Sequence, residues 1–164
     1  RVISMKMIKR ALISTVALLF VLLICIHPDA DAAVTIQKIS ESALDELIHT
    51  RNNKMAVTFM AAWCGPCIDE LPVLNKLYQK YKTQGLNLIG ISIDIEGPHA
   101  MQPIIDKLKV DFPVYWYGGS AVQKFSLFVI PMIFFVKDGQ IVEELPGRWP
   151  GRELDRKIRE FLKK

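Results

Sequence analysis

Cysteine is scarce in this chain, with three in 164 residues. Three cannot build the disulfide-dense framework on which very small exported domains depend. The fold must therefore rest on apolar burial, and 51% of the residues are hydrophobic. A chain of this length suits one domain with a single core. Histidine is as sparse, three in all, and His49 and His99 lack the paired spacing of zinc ligands. Charge of one sign is also missing, since 21 Lys+Arg stand against 17 Asp+Glu. Four of those cations (Arg1, Lys6, Lys9, Arg10) and only Asp29 and Asp31 lie in the first 32 residues, which leaves 17 basic against 15 acidic residues in the rest. Nucleic-acid binding gains no support from that balance. There is no repeat, low-complexity tract or long linker.

What is present begins with an address. Lys6, Lys9 and Arg10 precede the uncharged run Ala11 to Ile26, which is 16 residues long and is followed by Ala30-Asp31-Ala32. A basic start, an apolar stretch and a small-x-small triplet form the layout of a secretory signal, with cleavage after Ala32. The run is a few residues short of the ~20 that span a bilayer, so an uncleaved anchor is the rival reading. Cys25, inside the run, reads as apolar filler. With Arg at position 1, Met5 and Met7 are both candidate starts. Residues 1–32 are thus expected to be a signal or membrane anchor and residues 33–164 one domain facing an exported compartment.

The remainder alternates strand and helix signals. Ser42 is expected to cap a helix carrying Leu44, Leu47 and Ile48 and ending near Asn52-Asn53. Lys54 to Ala61 (KMAVTFMA) reads as a buried strand. Ile68, Leu71, Leu74, Leu77 and Tyr81 then recur at helical spacing up to Gly85, with Pro72 expected to kink the helix. Leu86 to Ile93 is a second buried strand, and strand–helix–strand implies a parallel crossover. Pro103 is expected in the first turn of a short helix carrying Ile104, Ile105 and Leu108. Ala121 to Phe128 reads as another short helix. Lys137-Asp138-Gly139 marks a hairpin between Met132–Val136 and Gln140–Glu144. Leu154, Ile158, Phe161 and Leu162 form the apolar face of a last helix. The class is α/β: a mixed sheet, parallel first and antiparallel last, with helices on both faces.

The chemistry lies in Trp63-Cys64-Gly65-Pro66-Cys67, at the junction of a buried strand and a helix. A cysteine at a helix N-terminus meets unsatisfied N–H groups and the positive end of the macrodipole. Both favour the thiolate, which is the nucleophile. The i, i+3 spacing puts Cys67 one turn on, within disulfide reach. Cys64 can then attack a substrate disulfide and Cys67 resolve the mixed disulfide. Pro66 suits the first turn, where no backbone donor is lost. Three other readings compete: a structural disulfide, which would close too short a loop to constrain the unfolded chain much; a zinc site, which lacks two further ligands; and chance placement. Pro131, directly before an apolar strand, marks an edge or special turn. Glu70, an acid in the first turns of a helix, is favourable there without any catalysis.

With these residues the sequence resembles the thioredoxin superfamily, and most closely its exported TlpA/ResA-like thiol–disulfide oxidoreductases. Cys67-Ile68-Asp69-Glu70-Leu71-Pro72 reproduces the group's Cys-x-x-Glu-x-Pro. Residues 94–112 lie where that group has its insertion, ending in Phe112-Pro113-Val114. The resemblance spans roughly residues 40–164. It implies a redox disulfide Cys64–Cys67 with Cys64 as nucleophile and Cys67 as resolving thiol. It also implies a cis bond at Ile130-Pro131, with Trp63, Gly65, Pro66, Ile130 and Pro131 meeting an extended substrate. Ile130 would pair through its main chain, a small β-augmentation. Thr58 stands where cytoplasmic thioredoxins keep a buried Asp, and by resemblance Glu70 would take over proton transfer with Cys67. Met60 replaces a Trp found in many relatives, a change of packing.

The resemblance implies no cofactor and no metal. It implies exported protein thiols and disulfides as substrates, apocytochrome c cysteines among the candidate clients, and a membrane electron donor of the DsbD or CcdA kind. The expected location is the periplasm or the outer face of the cytoplasmic membrane. Gly65-Pro66 matches reducing thioredoxins, so the expected direction is reduction. Two alternatives stay open: a disulfide-forming oxidase, and a Sco-like copper metallochaperone, although that group has Cys-x-x-x-Cys. Ala61, where a peroxiredoxin would have Thr, speaks against that group.

Overall fold

In the computed structural model, which describes residues 34–50 and 54–163, the chain starts with a two-residue strand, β1 (Gln37–Lys38), and helix α1 (Glu41–His49). Strand β2 (Lys54–Met60) leads into the long helix α2 (Gly65–Tyr81), a 3₁₀ turn at Lys82–Gln84 and strand β3 (Asn87–Ser92). Helix α3 (Pro98–Leu108), strand β4 (Val114–Trp116) and the short helix α4 (Ser120–Lys124) come next. The antiparallel pair β5 (Met132–Lys137) and β6 (Gln140–Pro146) precedes the terminal helix α5 (Gly151–Lys163). The six strands lie in the order β1-β4-β3-β2-β5-β6, parallel from β1 to β2 and antiparallel from β2 to β6. Residues 1–32, expected to be a signal or membrane anchor, lie outside the described residues. Among the described residues no helix is long and apolar enough to cross a membrane.

β2 is central because both of its faces are apolar: every residue from Met55 to Met60 is buried. Helices cover the sheet on both sides. Phe135 stacks on Phe161 of α5 with centroids 4.7 Å apart. Its neighbour Phe134 points the other way, into a cluster with Phe59 and with Phe125 beyond α4. On that second face Lys124 Nζ ties α4 to Glu41 and Asp45 of α1. On the first face α2 and α5 meet through Lys80 and Tyr81, which both reach Asp155. The inserted helix α3 sits against α2. Asn75 donates to the Lys109 carbonyl and accepts from the Asp111 amide, while Tyr78 meets Phe112 edge-on.

Several local expectations need correcting. The cap of α1 is Ser40, whose Oγ accepts from the Ala43 amide, and not Ser42. A cap must precede the helix, and Glu41 is already its first residue. That helix ends at His49, because Thr50 is extended (ψ 126°). Asn52-Asn53 lie outside the described residues. Pro103 is inside α3, not in its first turn, because Pro98 occupies that turn instead. The bond Pro103 forgoes is the one to the carbonyl of His99, and both residues are exposed. The second short helix stops at Lys124, and Ser126 (φ 51°) turns the chain toward β5.

The hairpin turn obeys its sequence: Asp138 and Gly139 have φ of 51° and 81°, the pair of positive values that a two-residue type I′ turn requires. A Cβ on Gly139 would stand 3.0 Å from the His49 carbonyl oxygen, so backbone meets backbone there. Gly139→Ala is therefore expected to cost about 1–2 kcal/mol from backbone conformation and crowding. Urea unfolding would show this as a lower midpoint at unchanged slope.

Candidate active site

β2 ends at Met60 and α2 begins at Gly65, so the four residues between them make the strand-to-helix turn. The Cys64 amide donates to the Ala61 carbonyl at 3.1 Å and closes that turn. Cys64 is the N-cap of α2, and its Sγ accepts from the Cys67 amide at 3.2 Å. Its carbonyl takes the amides of Cys67 and Ile68, each at 3.1 Å. Pro66 sits in the first turn of α2, where a missing N–H costs nothing. Cys64 and Cys67 are joined in a disulfide with Cα atoms 5.3 Å apart. Cys67 is enclosed, whereas Trp63 beside Cys64 is 66% exposed. A thiolate formed on Cys64 would sit at the amino end of a 17-residue helix, facing a backbone N–H.

Pro131 reaches the same place from another strand. Met132 pairs with Phe59 across β5 and β2, so the start of β5 lies beside the end of β2 that runs into Cys64. The Ile130–Pro131 peptide is cis, and Ile130 is half-buried. The Pro131 carbonyl accepts from the Gly147 amide at 2.8 Å. At this end of the sheet two more large apolar side chains are exposed, Phe128 (76%) and Ile95 (80%). Tyr115 to Tyr117 are half-buried, with Trp116 against Gly118.

Glu70 lies one turn after Cys67 on the same helix and is 1% exposed. Its Oε1 accepts from the Trp149 amide at 2.9 Å, while its Oε2 has no hydrogen-bond partner among the described residues. Burial pushes the carboxyl above its ordinary range, and the Trp149 N–H and the Arg148 guanidinium pull partly back. Gly147 and Trp149 thus hold Pro131 and Glu70 from one short loop. Thr58 is buried in β2 and brings no carboxylate. Asp94 does, at the end of β3: fully buried, it binds the Ala62 amide and the Ser92 hydroxyl. It has no signal in the sequence beyond an acid closing an apolar run. Among the described residues no three His, Cys, Asp or Glu side chains gather as a metal site.

A six-stranded mixed sheet with a Cys-x-x-Cys disulfide at the head of a helix, and a cis-proline at the start of the strand beside it, is the thioredoxin-like fold. The AhpC/TSA family matches over residues 27–145. The thiol-disulfide oxidoreductase ResA of Bacillus thuringiensis subsp. konkukian (strain 97-27) is 31% identical over 121 residues, 73% of this chain and 67% of that protein. StoA from Bacillus subtilis superposes with a TM-score of 0.60 at 21% identity, covering 68% of this chain and 86% of that one. A thiol:disulfide interchange protein of the thioredoxin family from Chlorobium tepidum TLS gives 0.60 at 20% identity, with 67% and 80% covered. The chain belongs to the AhpC/TSA family and, within the thioredoxin superfamily, is a ResA-like thiol–disulfide oxidoreductase.

Proposed function

We propose that this enzyme is an exported reductase of protein disulfides. The observation that carries the reading is the disulfide at the head of α2, with Cys64 as the N-cap and its Sγ facing the Cys67 amide. In the dithiol form Cys64 attacks a substrate disulfide, forming a mixed disulfide and releasing one substrate thiolate. Cys67 then attacks Cys64 Sγ, which forms the Cys64–Cys67 disulfide and releases the second substrate thiol. Two electrons pass to the substrate. A donor dithiol, for which a membrane protein of the DsbD or CcdA kind is the expected source, restores the enzyme. Glu70 takes the proton that Cys67 sheds before its attack. Trp63, Gly65, Pro66, Ile130 and Pro131 meet the substrate, with the Ile130 main chain pairing to an extended segment.

The basic, apolar and small-residue segments of residues 1–32 support export, either by cleavage or as an anchor. The proposed location is the periplasm or the outer face of the cytoplasmic membrane. Reduction as the direction rests on Gly65-Pro66, the dipeptide of reducing thioredoxins. Apocytochrome c cysteines are the proposed clients, as the resemblance to the ResA group implies. A direct test incubates the dithiol form with a peptide carrying one disulfide. Complete reduction with formation of one Cys64–Cys67 disulfide per peptide is expected. Failure to reduce it, coupled with rapid oxidation of a dithiol peptide by the disulfide form, would make the protein an oxidase instead.

A further inference from the structure

We propose that Asp94 is a positioning residue for Cys64, holding the strand-to-helix turn through the Ala62 amide. This inference rests on the thiol–disulfide exchange assigned to Cys64 and Cys67. Asp94 lies just past β3 and is completely buried. Ala62, two residues before Cys64, donates its N–H to both carboxylate oxygens, at 2.9 Å and 3.2 Å. The Ser92 hydroxyl donates to Oδ2 at 2.7 Å and fixes the carboxylate plane. The main chain of Asp94 is anchored as well, since its carbonyl accepts from Trp116 Nε1 at 2.6 Å. No ion pair to Asp94 occurs among the described residues.

A buried polar side chain is costly unless its hydrogen-bonding capacity is used. Here that capacity is spent on a turn amide. Cross-strand bonding between β2 and β3 reaches its end in the Ile93 amide donating to the Met60 carbonyl. Beyond it, Asp94 carries the tie on to Ala62, and the next closure is Cys64 to Ala61. Without the carboxylate the half-buried Ala62 amide would lose its protein partner, and the turn would be free to shift. Since Cys64 needs its Sγ on the helix N-terminus, a displacement of this turn slows the chemical step. Asp94 is buried and does not touch substrate, so the loss should fall on kcat more than on KM.

The test compares Asp94→Ala, Asp94→Asn and Ser92→Ala in the full chain. It uses kcat and KM for disulfide reduction and hydrogen exchange of the Ala62 amide, with the sheet amide of Gly90, bonded to the Pro113 carbonyl, as reference. Asp94→Ala is expected to lower kcat at least tenfold, with a smaller change in KM, and to speed Ala62 exchange at least tenfold, leaving Gly90 protected. Asp94→Asn keeps an oxygen for the Ala62 N–H and an amide for the Ser92 oxygen, so it should stay within threefold of wild type in both. An Asp94→Ala enzyme with wild-type kcat, or an Asn variant that falls as far as Ala, overturns the proposal. If Asp94→Ala does not fold, Ser92→Ala decides: faster Ala62 exchange with lower kcat supports the role, and no change in either overturns it. A wild type that reduces no disulfide defeats the functional reading, and the exchange comparison still judges Asp94.

Discussion

Replacing Cys64 with Ser is expected to abolish disulfide reduction, a loss on the order of 10³-fold or more, as for other enzymes deprived of their nucleophile. A hydroxyl at the head of α2 gains from the same amide and dipole, but its pKa leaves too little oxyanion at neutral pH to attack sulfur. Cys67→Ser should behave differently. Cys64 can still open the substrate disulfide, yet nothing displaces it, so the reaction stops at one mixed disulfide per chain. Non-reducing mass spectrometry would show that adduct, at a mass reporting one chain plus one substrate, and its dissolution by dithiothreitol. If the two cysteines formed only a structural brace, both variants would lose stability together and neither would trap a substrate.

Glu70→Gln is expected to slow turnover by roughly 10²-fold, within the range that a lost general acid or base produces. The substitution keeps the Oε1 acceptor for the Trp149 amide, so the effect isolates the proton. It should also change how stability depends on pH. Burial raises the Glu70 carboxyl above its ordinary value of 4.5, so the folded chain keeps this proton at pH values where the unfolded chain has lost it. The folded state then binds more protons, and its stability falls as pH rises from about 4.5 through the raised value. Gln carries no such proton. The variant should therefore match the wild type near pH 4 and exceed it at pH 8 in urea unfolding. A wild-type rate at all pH values, with the stability gap present, would leave Glu70 as a buried acid without a catalytic part.

The sequence is most legible where pattern and chemistry coincide. The run KMAVTFM, the helical spacing through Tyr81 and Asp138-Gly139 each carry their own physical signal, and all three elements are present. The cysteine pair is legible for the same reason: its spacing matters only at a helix start, and α2 starts at Gly65, directly after Cys64. β1 and β4 are not legible. Two and three residues long, they are held by their neighbours, as when Ile39 donates to the Trp116 carbonyl. Asp94 is hidden because its partners lie 2 residues back and 32 residues back along the chain. Nothing local separates such an acid from an ordinary turn residue. Glu70 is named by resemblance, but the loop that holds it, through Trp149, comes 79 residues later and has no signal in the sequence.

The most direct test of the account is an equilibrium redox titration of the full chain in glutathione or dithiothreitol buffers. Trp63 fluorescence and the two-hydrogen mass difference would be monitored together. The account predicts one two-electron transition, lost in Cys64→Ser, with a potential near or below about −250 mV, close to the thioredoxin value of about −270 mV. A transition near about −120 mV would make the protein an oxidant and overturn the assigned direction. The absence of any two-electron transition under buffers that reduce thioredoxin would contradict the claim that Cys64 and Cys67 are a redox centre.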